Sequence, residues 1–81
     1  MYIIEETMSL QKLLDDIDRF CKHYRVSEAQ LGKEAIKSHP AIRRWREGKQ
    51  VPKLDTVERL YDYMQRFEKK TRAKLLLEAL Q

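Results

Sequence analysis

The chain has 81 residues, with 17 Lys and Arg against 13 Asp and Glu, for a formal net charge of +4. That length holds one domain, residues 1–81, and leaves no room for a cleft between two, so a catalytic unit built around a nucleotide cofactor is not expected. Charged residues make up 37% and apolar residues 42%, with only two glycines and two prolines, which suits helices and is too poor in turn residues for a sheet protein.

Cys21 is the single cysteine, which excludes a disulfide within the chain and fits a reducing cytosol. Apolar runs such as Leu75-Leu76-Leu77 are far too short to span a bilayer. The start, Met1-Tyr2-Ile3-Ile4-Glu5-Glu6, reads as neither a basic leader nor a signal segment. A cytoplasmic, untargeted protein is expected.

The charge is unevenly spread. Residues 1–18 carry five acids against Lys12. Residues 37–53 carry Lys37, Arg43, Arg44, Arg46, Lys49 and Lys53 against Glu47 alone. A second basic block, 66–74, sets five bases against Glu68 and reads as a solvated face. Clustered positive charge attracts a polyanion more than the same charge dispersed.

Four apolar stripes follow one another along the chain. Leu10, Leu13, Leu14, Ile17, Phe20, Cys21 and Tyr24 recur at helical spacing and predict a helix over residues 10–24, with Ser9 as N-cap. Its other face, Lys12, Asp15, Asp16, Arg19 and Lys22, reads as charged. Ser27 and Gln30 have capping-box spacing and start a second helix, in which Gly32 stands beside Leu31 and Ala35. A helical glycine costs about 1 kcal/mol relative to alanine, so a close helix crossing is expected there. A third helix, 39–47, is predicted after Ser38 as cap, with Pro40 in its first turn, Ile42 and Trp45 inward, and Gly48 ending it. Asp55 with Glu58 predicts a further start, before Val57, Leu60, Tyr61, Met64 and Phe67. The run 68–72 breaks that phase, and Ala73, Leu76, Leu77 and Leu80 form a last short apolar face, giving four or five helices.

A capped helix, a turn of two or three residues around Ile36-Lys37, and a second short helix is the layout of a helix-turn-helix. The gapless stretch from Leu31-Gly32 through Ala35, Ile42, Trp45 and Gly48 to Pro52, followed by Asp55-Thr56-Val57-Glu58-Arg59-Leu60, resembles the Cro/repressor-type, or lambda-repressor-like, DNA-binding family over residues 10–67. The resemblance implies a compact all-α fold in which residues 1–8 form an arm and 68–81 a C-terminal helix. One position departs from the family: its usual turn glycine is Ile36 here. A β-branched residue resists positive φ, so either the left-handed residue moves to Lys37 or the turn is remodelled.

By its position in the resemblance, the third helix enters the major groove of double-stranded DNA. His39, Pro40 and Arg44 then meet base edges, and Arg43 joins them from its outward angle. Arginine reads guanine through two parallel hydrogen bonds to O6 and N7. Ser27 and Ser38 at helix starts, Lys49, Gln50 and Lys53 in the following loop, and Arg46 suit the phosphate backbone. Tyr2, Ile3 and Ile4, or Leu76, Leu77 and Leu80, are candidates for a homodimer interface. Trp45 and Cys21 read as core residues, and Cys21, His23 and His39 lack any metal-ligand spacing. No catalytic triad, metal, cofactor or small-molecule ligand is expected. The expectation is a small bacterial or phage transcriptional regulator, most simply a repressor that occludes a promoter and sits on the nucleoid. Its rival is a protein-interaction adaptor or antitoxin on the same fold.

Overall fold

The computed structural model describes residues 10–80. The proposed arm with Tyr2, Ile3 and Ile4, and the Ser9 cap, lie outside the described residues. Four helices follow in order: α1 (Leu10–Tyr24), α2 (Glu28–Ile36), α3 (Ala41–Arg46) and α4 (Leu54–Ala79). No strand is present among the described residues. None of these helices is long and apolar enough to cross a membrane.

The apolar stripe of α1 buries Leu13, Leu14, Ile17 and Phe20. The helix stops because Arg25 turns left-handed, at φ 56°, and Val26 N–H donates back to the Cys21 carbonyl at 3.1 Å. The Ser27 hydroxyl then accepts from Gln30 N–H at 3.1 Å and starts α2, as the capping-box spacing predicts.

The third helix is shorter than expected, and Ser38 is not its cap. Pro40 holds the cap position, with φ −95° and ψ 0°, without a side-chain cap bond. His39 and Pro40 form a turn ahead of the helix. The first turn closes when Arg44 N–H donates to the Pro40 carbonyl at 3.1 Å.

The fourth helix is longer than expected. It begins after Lys53, whose carbonyl accepts from Val57 N–H at 3.0 Å, so Asp55 lies inside the first turn rather than capping it. A carboxylate there still favours the helix through the positive end of its dipole. At 68–72 the apolar pattern breaks but the helix does not, and there is no fifth helix among the described residues. Glu68, Lys69, Lys70, Thr71 and Arg72 include no glycine or proline; the break in pattern ends core contact and leaves the backbone hydrogen bonds intact.

Helix α2 packs against α1, α3 and α4, and α1 also packs against α3. The core they enclose contains Leu13, Ile17, Leu31, Ile42, Trp45, Leu60 and Met64, each at most 2% exposed. Phe20 and Tyr24 of α1 meet Phe67 of α4 edge-on, at ring-centroid distances of 5.2 and 5.0 Å, closing α1 onto α4. Beyond that cluster α4 projects: residues 72–80 are all exposed, and the molecule is 48 Å along its longest axis.

Asp16 lies on the charged face of α1 but is buried. It is 8% exposed and accepts from the Tyr61 hydroxyl of α4 at 2.6 Å, from Lys12 at 2.9 Å and from Arg19 at 2.6 Å. Burial pushes its carboxyl pKa upward, and the Tyr61 hydroxyl, then Lys12 and Arg19, more than reverse this. The carboxyl therefore sits below its ordinary range. A lowered folded pKa contributes stability that is fully present above the unfolded value, about pH 4, and is lost as pH falls through the folded value. Asp16→Asn should cost about 1–3 kcal/mol at pH 7 in urea denaturation, and the gap to wild type should begin to narrow as pH falls below about 4.

Candidate functional site

The α2–turn–α3 unit is built around one close backbone approach. A methyl group placed on Gly32 would lie 2.5 Å from the Ser38 carbonyl oxygen, a distance no real Cβ tolerates. The close approach expected from a glycine in this helix is therefore made by the turn itself rather than by another helix. Lys37 and Ser38 both donate their N–H groups to the Gly32 carbonyl, the second at 3.1 Å.

Lys37 takes the left-handed conformation, φ 55° and ψ 28°. Of the two alternatives for the missing turn glycine, the left-handed position has moved one residue on. Lysine, unbranched at Cβ, accepts that region at lower cost than Ile36. The connection from Ile36 to Ala41 is four residues long, against the two or three expected.

Helix α3 inserts Ala41, Ile42 and Trp45 into the core. Trp45 is 2% exposed and is a core residue, as its phase with Ile42 predicts. Gly48, at φ 73°, ends the unit: its N–H reaches the Trp45 carbonyl at 3.2 Å, and Lys49 N–H reaches the Arg44 carbonyl at 3.0 Å. These two bonds form a Schellman cap.

With the inner face committed, the outer face is bare. His39, Pro40, Arg43 and Arg44 are all exposed, as are Lys37 in the preceding turn and Lys49, Gln50 and Lys53 in the following loop. Glu47 stands between Arg43, at 3.9 Å, and Lys49, at 3.4 Å. Exposed pairs of this kind hold only about 0–1 kcal/mol, so both cations remain available to another anion. Ser27 is exposed with its hydroxyl engaged by Gln30, and Ser38 is half-buried.

Arg46 differs from its neighbours. Its Nε donates to Glu28 at the start of α2, and one of its terminal nitrogens donates to Asp18 of α1. The side chain is 32% exposed, against 80% for Arg43. Burial alone would lower its pKa; the hydrogen bonds it donates to Glu28 and Asp18 outweigh this and hold the guanidinium more firmly charged. Two of the five N–H groups of the residue expected to reach phosphate are thus engaged within the chain. Sequence reasoning missed Asp18 and Glu28 as parts of the site, because they stand 28 and 18 residues from Arg46 and no local spacing links them.

Cys21 is half-buried and packs on the core. Burial, then Glu28 and Asp18, raise its pKa, so at neutral pH it is a thiol rather than a nucleophilic thiolate. Among the described residues no group of three or more His, Cys, Asp and Glu is arranged to hold a metal. Leu76, Leu77 and Leu80 lie on the projecting part of α4, 61%, 64% and 84% exposed, and the neighbouring Leu75 is 60% exposed. Compared with known family models, curated proteins and solved structures, the chain matches none.

The turn makes opposite demands at its two key positions. Gly32→Ala should gain helix propensity yet lose about 1–3 kcal/mol net, because the neighbour that must move is backbone. Lys37→Gly should instead stabilise by about 0.5–1 kcal/mol by relieving the left-handed strain. Urea midpoints of the two variants should move in opposite directions, and a shift of both in the same direction would contradict this account of the turn.

Proposed function

We propose that the chain is a sequence-specific double-stranded DNA-binding regulator of the Cro/repressor type, reading the major groove with the outer face of α3. One observation carries the reading. A short helix buries Ala41, Ile42 and Trp45 on one side and leaves Arg43 and Arg44 bare on the other, next to a tight turn. A helix presented this way fits the groove, and arginine near its start matches the guanine edge. Leu31, Gly32, Ile42 and Trp45 are buried where the family resemblance puts its core and its close approach, which supports the lambda-repressor-like version of this four-helix fold.

The roles divide by chemistry. His39, Pro40, Arg43 and Arg44 face the bases; Pro40, without a donor, can touch a thymine methyl. Lys49, Gln50 and Lys53, with Ser27 and Ser38, face the phosphates and set position rather than sequence. A homodimer, with the exposed leucines of α4 as its seam, would supply two copies of α3 at a spacing of about 34 Å. Occlusion of a promoter is then the simplest regulatory act.

The test is binding of the full chain to DNA flanking its own gene, beside a scrambled duplex, between 50 and 200 mM salt. Tighter binding to the native flank is expected, with log affinity falling by about 0.9 per phosphate contact for each unit of log salt. Arg44→Ala should remove about 1–3 kcal/mol of discrimination between the duplexes. Lys53→Ala should weaken both equally and lower the salt slope by about 0.9. Equal, weak binding of wild type to both duplexes would overturn the reading in favour of an adaptor that meets an acidic protein.

A further inference from the structure

We infer that Arg46 is a positioning residue: together with Asp18 and Glu28 it clamps the C-terminal end of α3 to α1 and α2 and so sets the aim of the Arg43/Arg44 face. This rests on the DNA-reading function proposed for that face. Arg46 is the last residue of a helix of only six residues, Ala41–Arg46. Pro40, at its other end, provides no side-chain cap bond. The buried Ala41, Ile42 and Trp45 fix how deep the helix sits, but apolar contact is non-directional and holds its rotation weakly.

The clamp supplies direction. Two separate N–H groups of one planar guanidinium go to two carboxylates on two different helices, a bridge that lysine, a single point charge, cannot reproduce with the same geometry. The Arg46 and Glu28 side chains are only partly open to water, 32% and 33% exposed, so that arm of the cluster is screened less than the pairs around Glu47; the Asp18 arm, with Asp18 58% exposed, is not. It also lies over the core, close enough that all three charges act on Cys21.

A second consequence concerns charge. Glu28 opens α2 directly beside Ser27, one of the residues proposed to face phosphate. Left alone, its carboxylate would repel a phosphate there; paired with Arg46, it is neutralised in place. An arginine within the basic block thus serves the interface without touching DNA.

This reading and a simple electrostatic one differ in what they predict for discrimination. Asp18→Asn with Glu28→Gln removes two negative charges, which by charge alone should strengthen binding to any duplex and leave discrimination intact. If the clamp aims α3, the same double variant binds the scrambled duplex at least as well as wild type, but its preference for the native flank falls roughly tenfold, within the range of one good base contact. Arg46→Gln and Arg46→Lys should both lose that preference while keeping the wild-type salt slope. A phosphate-contacting Arg46 would instead lower the slope by about 0.9 on replacement by Gln and tolerate Lys. Far-ultraviolet circular dichroism and the fluorescence of Trp45 identify folded variants, and the conservative Glu28→Gln single variant keeps the test available if the Arg46 variants unfold. Discrimination unchanged in the folded variants, beside a discriminating wild type, overturns the clamp alone. A wild type that discriminates no duplex overturns the function of the site and the clamp with it.

Discussion

The approach of the Ser38 carbonyl to Gly32 is the constraint on which the rest of the structure depends. Two backbones come closer than any side chain would allow, and the Gly32 carbonyl accepts from both Lys37 and Ser38 as they pass. The chain is thereby reversed within four residues, and α3 starts where Pro40 can act as its first turn's acceptor. Ile42 and Trp45 then fall into the space between α1, α2 and α4. A larger residue at position 32 would push the turn outward, and α3 would lose either its depth in the core or its angle to α2.

Burial and exposure on α3 are two sides of that one placement. The helix is too short to be stable alone, so its existence depends on Trp45 and Ile42 being inside. Once they are inside, helical geometry puts Arg43 and Arg44 on the outer side of the helix. The polar contacts around the core act differently. Asp16, held by Tyr61, Lys12 and Arg19, joins α1 to α4, and Arg46, held by Asp18 and Glu28, joins α3 to α1 and α2. Apolar packing sets how closely these helices approach, and the charged contacts, with their narrow geometry, set how they are turned.

The projecting end of α4 stands apart from this logic. Its backbone continues for more than two turns past the last half-buried residue, Thr71, carrying leucines that are exposed among the described residues. Isolated helix of that length is marginal in water, so its stability is borrowed from the packed half of the same helix through unbroken hydrogen bonding.

Much of this was determined by the sequence alone. The 3.6-residue rhythm of α1 and of α4 up to Phe67, the Ser27 cap, the inward phase of Ile42 and Trp45 and the stop at Gly48 are local patterns, because each depends on residues within a turn or two of one another. The outward basic face of α3 follows from the same rhythm. What the tertiary structure alone decided involves partners far apart in the chain or a competition between neighbours. Tyr61, 45 residues away, covers Asp16 on the charged face of α1, and Asp18 and Glu28 engage two of the donors of Arg46. Pro40 displaced Ser38 as cap, Lys37 took the strain that Ile36 could not, and α4 ran on through its break in phase. Local propensity describes what a segment can do. Which charges are neutralised, which carbonyl a turn must reach and where a helix loses its partner depend on distances that exist only after the chain has closed on itself.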